Sequence, residues 1–109
     1  MFIAYEVSLE LVAALRPLVP IIKRHDKDLA DQLSRAATSI VLNLAEGNES
    51  AKGNRMKHFA IAHGSASEVR AALRAAAAWG WIEAASAAPD VLDRLMALLF
   101  RLNHPRPRA

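Results

Sequence analysis

Cysteine is absent from all 109 residues, so disulfides and thiolate metal sites are excluded and the reducing cell interior is the expected compartment. Long apolar runs are missing too. The longest, Ala75 to Ile82, falls far short of the roughly 18 residues that a membrane span requires, so a cytoplasmic chain without membrane contact is expected. The opening residues Met1-Phe2-Ile3-Ala4-Tyr5-Glu6 lack a basic stretch and meet Glu6 and Glu10 before any long apolar run, unlike a secretory signal. Strand-like alternation and internal repeats are lacking as well, which removes sandwiches, barrels and solenoids from consideration.

What remains is a chain that fits one domain with a real core, since folding at this size hides roughly two-thirds of the unfolded surface. Hydrophobic residues make up 53% of it, and much of the excess is alanine clustered in a few segments, which points to helices packed closely on more than one side. The formal net charge of +3, from 14 Lys plus Arg against 11 Asp plus Glu, permits nucleic-acid binding without requiring it.

Four helical segments follow from the spacing of apolar residues. The first, about Ala4 to Lys23, carries Val7, Leu11, Leu15, Leu18 and Ile22 on one stripe. Pro17 and Pro20 each remove a backbone donor, so a kink or early stop near Arg16 is predicted. The second opens with Asp26 as N-cap and Asp28 against the positive end of the helix dipole. Its stripe runs Leu29, Leu33, Ala36, Ala37, Ile40 and Leu44, and Gly47 is the predicted left-handed closing residue, giving about 22 residues and about 33 Å of rod. The third runs from Ser50 or Asn54 to Trp79, with Phe59, His63, Ala66, Arg70, Leu73 and Ala77 on its predicted inner face. Its other side is hardly polar, so cover on two faces is expected. After Gly80 and the Ser86-to-Pro89 stretch, Pro89 or Asp90 opens a fourth helix ending near Asn103.

Short connections favour antiparallel neighbours, so the predicted fold is all-α, an up-down-up-down antiparallel four-helix bundle over residues 1–103 followed by a basic tail, 104–109. That topology sorts the charges. One end collects Lys52, Arg55, Lys57, Arg101, Arg106 and Arg108 against Glu46 and Glu49, a local balance of +4; the other balances to −2. Copies arranged in a ring would stack the basic ends into one positive face.

Chemistry-bearing patterns are few. A bundle dimetal site needs a Glu-x-x-His pair, and none occurs, so no metal or cofactor is expected. His58 and His63, five apart, fall on different faces, and His63 reads as a core histidine. Ser65, His63 and Glu68 share one helix at spacings that do not pass a proton along, so no catalytic residues and no enzyme are expected. Glu46 opposes the helix dipole and needs a donor: it either caps the second connection or pairs with Arg55 or an arginine of a neighbouring helix, or it forms a polar ligand pocket with Asn43 and Gly47. Arg35, Arg70 and Arg74 fall on apolar or small-residue faces, where inter-subunit ion pairs or snorkelling to solvent would satisfy them. Trp79 and Trp81 sit among alanines and read as core rather than as base-stacking residues.

Two stretches, Gln32-Leu33-Ser34-Arg35-Ala36-Ala37-Thr38-Ser39-Ile40-Val41-Leu42-Asn43-Leu44-Ala45-Glu46-Gly47 and Phe59-Ala60-Ile61-Ala62-His63-Gly64-Ser65-Ala66-Ser67-Glu68-Val69-Arg70, resemble the bacterial four helix bundle protein family in order and spacing. That family includes proteins encoded by intervening sequences in 23S ribosomal RNA genes and accessory variability determinants of diversity-generating retroelements. The resemblance implies a homopentameric ring and, for the retroelement branch, a basic surface that binds RNA or DNA and a reverse transcriptase as protein partner. Asn43, Glu46, Gly47, Gly64, Ser65 and Glu68 fall on motif positions, and the small Gly64 and Ser65 suggest close helix approach. The candidate nucleic-acid contacts are Lys52, Arg55, Lys57, Arg106 and Arg108. The rival reading is a scaffold for a nucleic-acid enzyme.

Overall fold

The computed structural model describes residues 1–107. Five helices run in chain order: α1 (Ile3–Leu15), α2 (Leu18–Lys23), α3 (Lys27–Glu49), α4 (Lys52–Ala78) and α5 (Asp90–Asn103), with one 3₁₀ turn at Ala84–Ala87 before α5. The described residues contain no strand. α1 and α2 are a single rod broken where the prolines require it. Arg16 and Pro17 remain right-handed, yet the hydrogen-bond ladder lapses between Leu15 and Leu18, and the rod resumes for six residues.

α1 packs against α3 and α5, and α4 against the same two, so the rods alternate in direction around the core as expected. The molecule is elongated, 49 × 22 × 20 Å. Leu11, Leu33, Ile40, Leu44, Val69, Leu73, Leu95 and Leu99 are wholly buried along its axis. Each such leucine or isoleucine is worth about 1.5–3 kcal/mol of burial. Two of the expected termini are realised in detail. Asp26 accepts the Leu29 amide at 3.0 Å as N-cap of α3. At the end of α4, Gly80 at φ +80° lets its amide reach the Ala77 carbonyl and the Trp81 amide reach Ala76, both at 2.9 Å. That paired closure needs a left-handed residue, and glycine adopts it without a Cβ clash.

Three expectations need correction. Gly47 does not close α3, which continues in right-handed helix to Glu49. Its lack of a side chain instead makes room for Phe59, because a Cβ there would lie 2.7 Å from Phe59 Cε1 and 3.1 Å from His58 Cβ. The buried face of α4 is rotated from the predicted one: Phe59, Ala62, Ala66, Val69, Leu73 and Ala76 face the core, while His63, Arg70 and Ala77 sit half-buried at its edge. The alanine-rich helix gives two overlapping stripes of similar polarity, so periodicity alone did not separate them. Trp79 is not core. It is 72% exposed, stacked on the half-buried Trp81 at 5.7 Å, and Trp81 stacks in turn on His25 at 5.3 Å.

Candidate functional site

The short α3–α4 connection brings the basic residues to one end of the bundle. Lys52 begins α4, and Arg55 and Lys57 follow in its first two turns, all exposed. Arg101 lies exposed in the last turn of α5, and Arg106 is exposed beyond it; Arg108 lies outside the described residues. The N-cap of α4 is Ala51, which offers no side-chain acceptor, and no acidic residue stands in the first turn. Cations therefore crowd the positive end of a long helix dipole, an arrangement that costs about 0.3–1 kcal/mol per charge unless an anion offsets it. Arg55 Nε donates to the Gly47 carbonyl at 3.3 Å, and among the described residues none of these cations has a carboxylate within 4.0 Å.

Three of the motif positions, Asn43, Glu46 and Ser65, meet on the seam between α3 and α4. Ser65 Oγ donates to Ser39 Oγ at 2.9 Å, and the Asn43 amide nitrogen donates to the Ser39 carbonyl at 2.9 Å and to its Oγ at 3.2 Å. This orientation leaves Asn43 Oδ1 facing His58 Nδ1 at 2.9 Å, so the ring must carry its proton on Nδ1 and donate it. His58 Nε2 then faces Glu46 Oε2 at 3.5 Å, a contact that becomes an ion pair once the ring holds both protons. Glu46 thus lies against His58 rather than Arg55, and the ring donates to it only when doubly protonated. The ladder Ser65–Ser39–Asn43–His58 crosses the seam at two hydrogen bonds, Ser65 to Ser39 and His58 to Asn43, which together fix the register of the two helices.

Ser39 and His58 are the members that sequence reasoning missed, and His58 the one that reaches Glu46. Its flank was legible, one turn before Ala62 and shared with Ser65, but its pairing with Asn43 across the seam was not. The remaining motif residues do not join the ladder. Gly64 and Glu68 are exposed, and a Cβ on Gly64 would meet nothing within 4 Å, so no helix of the same chain approaches it.

The three arginines separate. Arg35 is exposed on the outward stripe of α3 with Thr38 and Leu42, along a shallow trough that also touches Asn43 and Glu46. Arg70 is held within the chain by Asp93, Nη2 to Oδ1 at 3.0 Å. Arg74 is exposed one turn further along α4. No three His, Cys, Asp or Glu residues converge among those described, so His58 and Glu46 offer a pair of metal-ligating groups but not a set. No helix of the described residues is long and apolar enough to cross a membrane.

Together these features define a class: an antiparallel helical bundle with a polar register lock on one seam and a cationic end. A family model described as the 23S rRNA-intervening sequence protein matches residues 2–100, and the chain belongs to that family. A search of curated proteins found no match. Among solved structures, it is similar to a protein of unknown function from the S23 ribosomal protein family of Bacteroides thetaiotaomicron VPI-5482. The two share 19% identity and a TM-score of 0.82, with 92% of this chain and 97% of that chain covered. At that identity the likeness speaks to the fold.

Proposed function

We propose that this chain is a non-enzymatic helical bundle that associates with copies of itself and binds RNA or DNA, weakly and without sequence preference, in the cytoplasm. Lys52, Arg55 and Lys57, with Arg106 and Arg108 from the tail, make the phosphate contacts. The observation that carries this reading is the start of α4, where three exposed cations surround an uncapped helix N-terminus that has no acidic residue in its first turn. Phosphate oxygens would satisfy both the free amides and the side chains.

Self-association is supported by apolar side chains left in solvent. Leu42 on α3 is 55% exposed and Ile61 on α4 is 42% exposed, and they flank the polar seam that carries the motif residues. Arg35 stands beside Leu42 and would find a carboxylate on a neighbouring copy, and Gly64 leaves α4 open to close approach by one. Five copies, the number the family resemblance implies, would add their cationic ends into one surface.

The test is a salt titration with fluorescein-labelled single-stranded RNA and a DNA duplex of matched length. The contacts of Lys52, Arg55 and Lys57 alone should weaken binding of the duplex about 40-fold, and of the single strand about 20-fold, between 50 and 200 mM salt. Replacing Lys52, Arg55 and Lys57 together by Gln should remove most of that slope. Affinity that ignores salt, or survives the triple substitution, would refute the reading. Capture of a protein partner from nuclease-treated lysate by the same triple variant would instead favour the scaffold alternative.

A further inference from the structure

A groove of 530 Å³ opens between the second half of α4, the 3₁₀ turn and the first turn of α5. Its lining includes Arg70, Arg74, Ala77, Ala87, Leu92 and Asp93. Alanines explain why the space exists, since side chains of this size on facing elements cannot interdigitate to the density of the bundle core. Ala87 and Leu92 are buried and form an apolar floor.

The charges on the walls are not balanced. Arg70 and Arg74 stand one turn apart on the same face of α4. Asp93 holds Arg70 at 3.0 Å, while Arg74 has no carboxylate within 4.0 Å among the described residues. One guanidinium is therefore left at the rim of an apolar trough. A guanidinium presents a rigid fork of donors that matches a carboxylate in its own plane.

We propose that this groove binds a short acidic peptide segment of a protein partner, with a Glu or Asp carboxylate on Arg74 and a neighbouring small apolar side chain on the Ala87–Leu92 floor. Asp93 on the opposite wall disfavours a multiply charged phosphate here, whereas a single carboxylate matches Arg74, the one lining charge left without a partner. An open trough suits a segment of a few residues better than a small molecule, which needs most of its surface enclosed. The site lies in the half of α4 away from Lys52, Arg55 and Lys57 and does not depend on nucleic-acid binding.

The experiment titrates ¹⁵N-labelled full-length protein with the capped peptide acetyl-Ala-Leu-Glu-Ala-amide and with its Gln counterpart. Shifts confined to Arg74 Nε and the amides of Ala84, Ala87, Ala88 and Asp93, seen with the Glu peptide and at least about tenfold weaker with the Gln peptide, are expected. Arg74→Gln should weaken the Glu peptide by a similar factor. Ala84→Leu, an exposed position on the 3₁₀ turn, should fill the trough and abolish binding while the rest of the spectrum stays native. Lys57→Gln should change nothing. Equal binding of the two peptides, an unaffected Arg74→Gln variant, shifts mapping to another face, or displacement by equimolar inorganic phosphate would each overturn the proposal.

Discussion

Two glycines within helices, Gly64 mid-way along α4 and Gly47 in the last turn of α3, carry opposite expectations, although helix propensity alone does not separate them. Replacing a mid-helix glycine by alanine gains about 0.8–1 kcal/mol of backbone stability when the added methyl group has room. Gly64 has that room, so Gly64→Ala is expected to raise the unfolding free energy of the isolated chain by about 0.8–1 kcal/mol, read as a higher denaturant midpoint. At Gly47 the methyl would collide with the buried Phe59 ring, which also packs against Phe2 at a centroid distance of 5.8 Å, and would crowd the His58 Cβ. Displacing a buried phenylalanine costs about 1–3 kcal/mol, so Gly47→Ala is expected to be net destabilising. Urea unfolding followed by circular dichroism checks both, and a stabilised Gly47→Ala would mean that Phe59 does not rest on that backbone.

At the scale of the element, the helices were legible where a residue has only one physical use. Asp26 before an amphipathic stretch can do little but cap, and Pro17 can do little but interrupt, and both expectations hold in the structure. Gly47 has two uses, left-handed closure and close approach, and local pattern does not choose between them; the choice is made by Phe59, twelve residues on and in another helix. The inner face of α4 was misplaced for a related reason, because alanine is cheap to bury and cheap to expose. The ladder through His58 was invisible because it depends on the registration of α3 against α4, a property of the pair. Gly80, by contrast, is held at φ +80°, where a Cβ is strained. Gly80→Ala is therefore expected to cost about 1–2 kcal/mol, read as a lower thermal midpoint, and Gly80→Asn should recover part of the loss because asparagine tolerates the left-handed region. An alanine variant as stable as the parent would show that the Trp79–Trp81 turn does not need this closure.

For the whole molecule, the expectation concerns apolar surface that the fold leaves unpaired. A single chain buries a continuous core, yet Leu42 and Ile61 remain exposed on either side of a seam whose polar groups are already satisfied by one another. Hydrogen bonding within the seam gives no reason to keep large aliphatic groups beside it, whereas contact with another copy does, since about 25 cal/mol is recovered per Å² of apolar surface removed from water. Leu42→Glu and Ile61→Glu place a charge where neither residue supports the core, so each variant should keep the helical spectrum and, within measurement error, the unfolding midpoint extrapolated to infinite dilution. Light scattering coupled to size exclusion should then find a single mass for the variants and a multiple of it for the parent. Because cationic ends add only when copies assemble, the salt slope of nucleic-acid binding should flatten in the same variants although no basic residue has changed. A parent protein that is monomeric at micromolar concentration, or glutamate variants that assemble as well as it does, would leave the two exposed aliphatics without a role in assembly and would limit phosphate contact to what one protomer can offer.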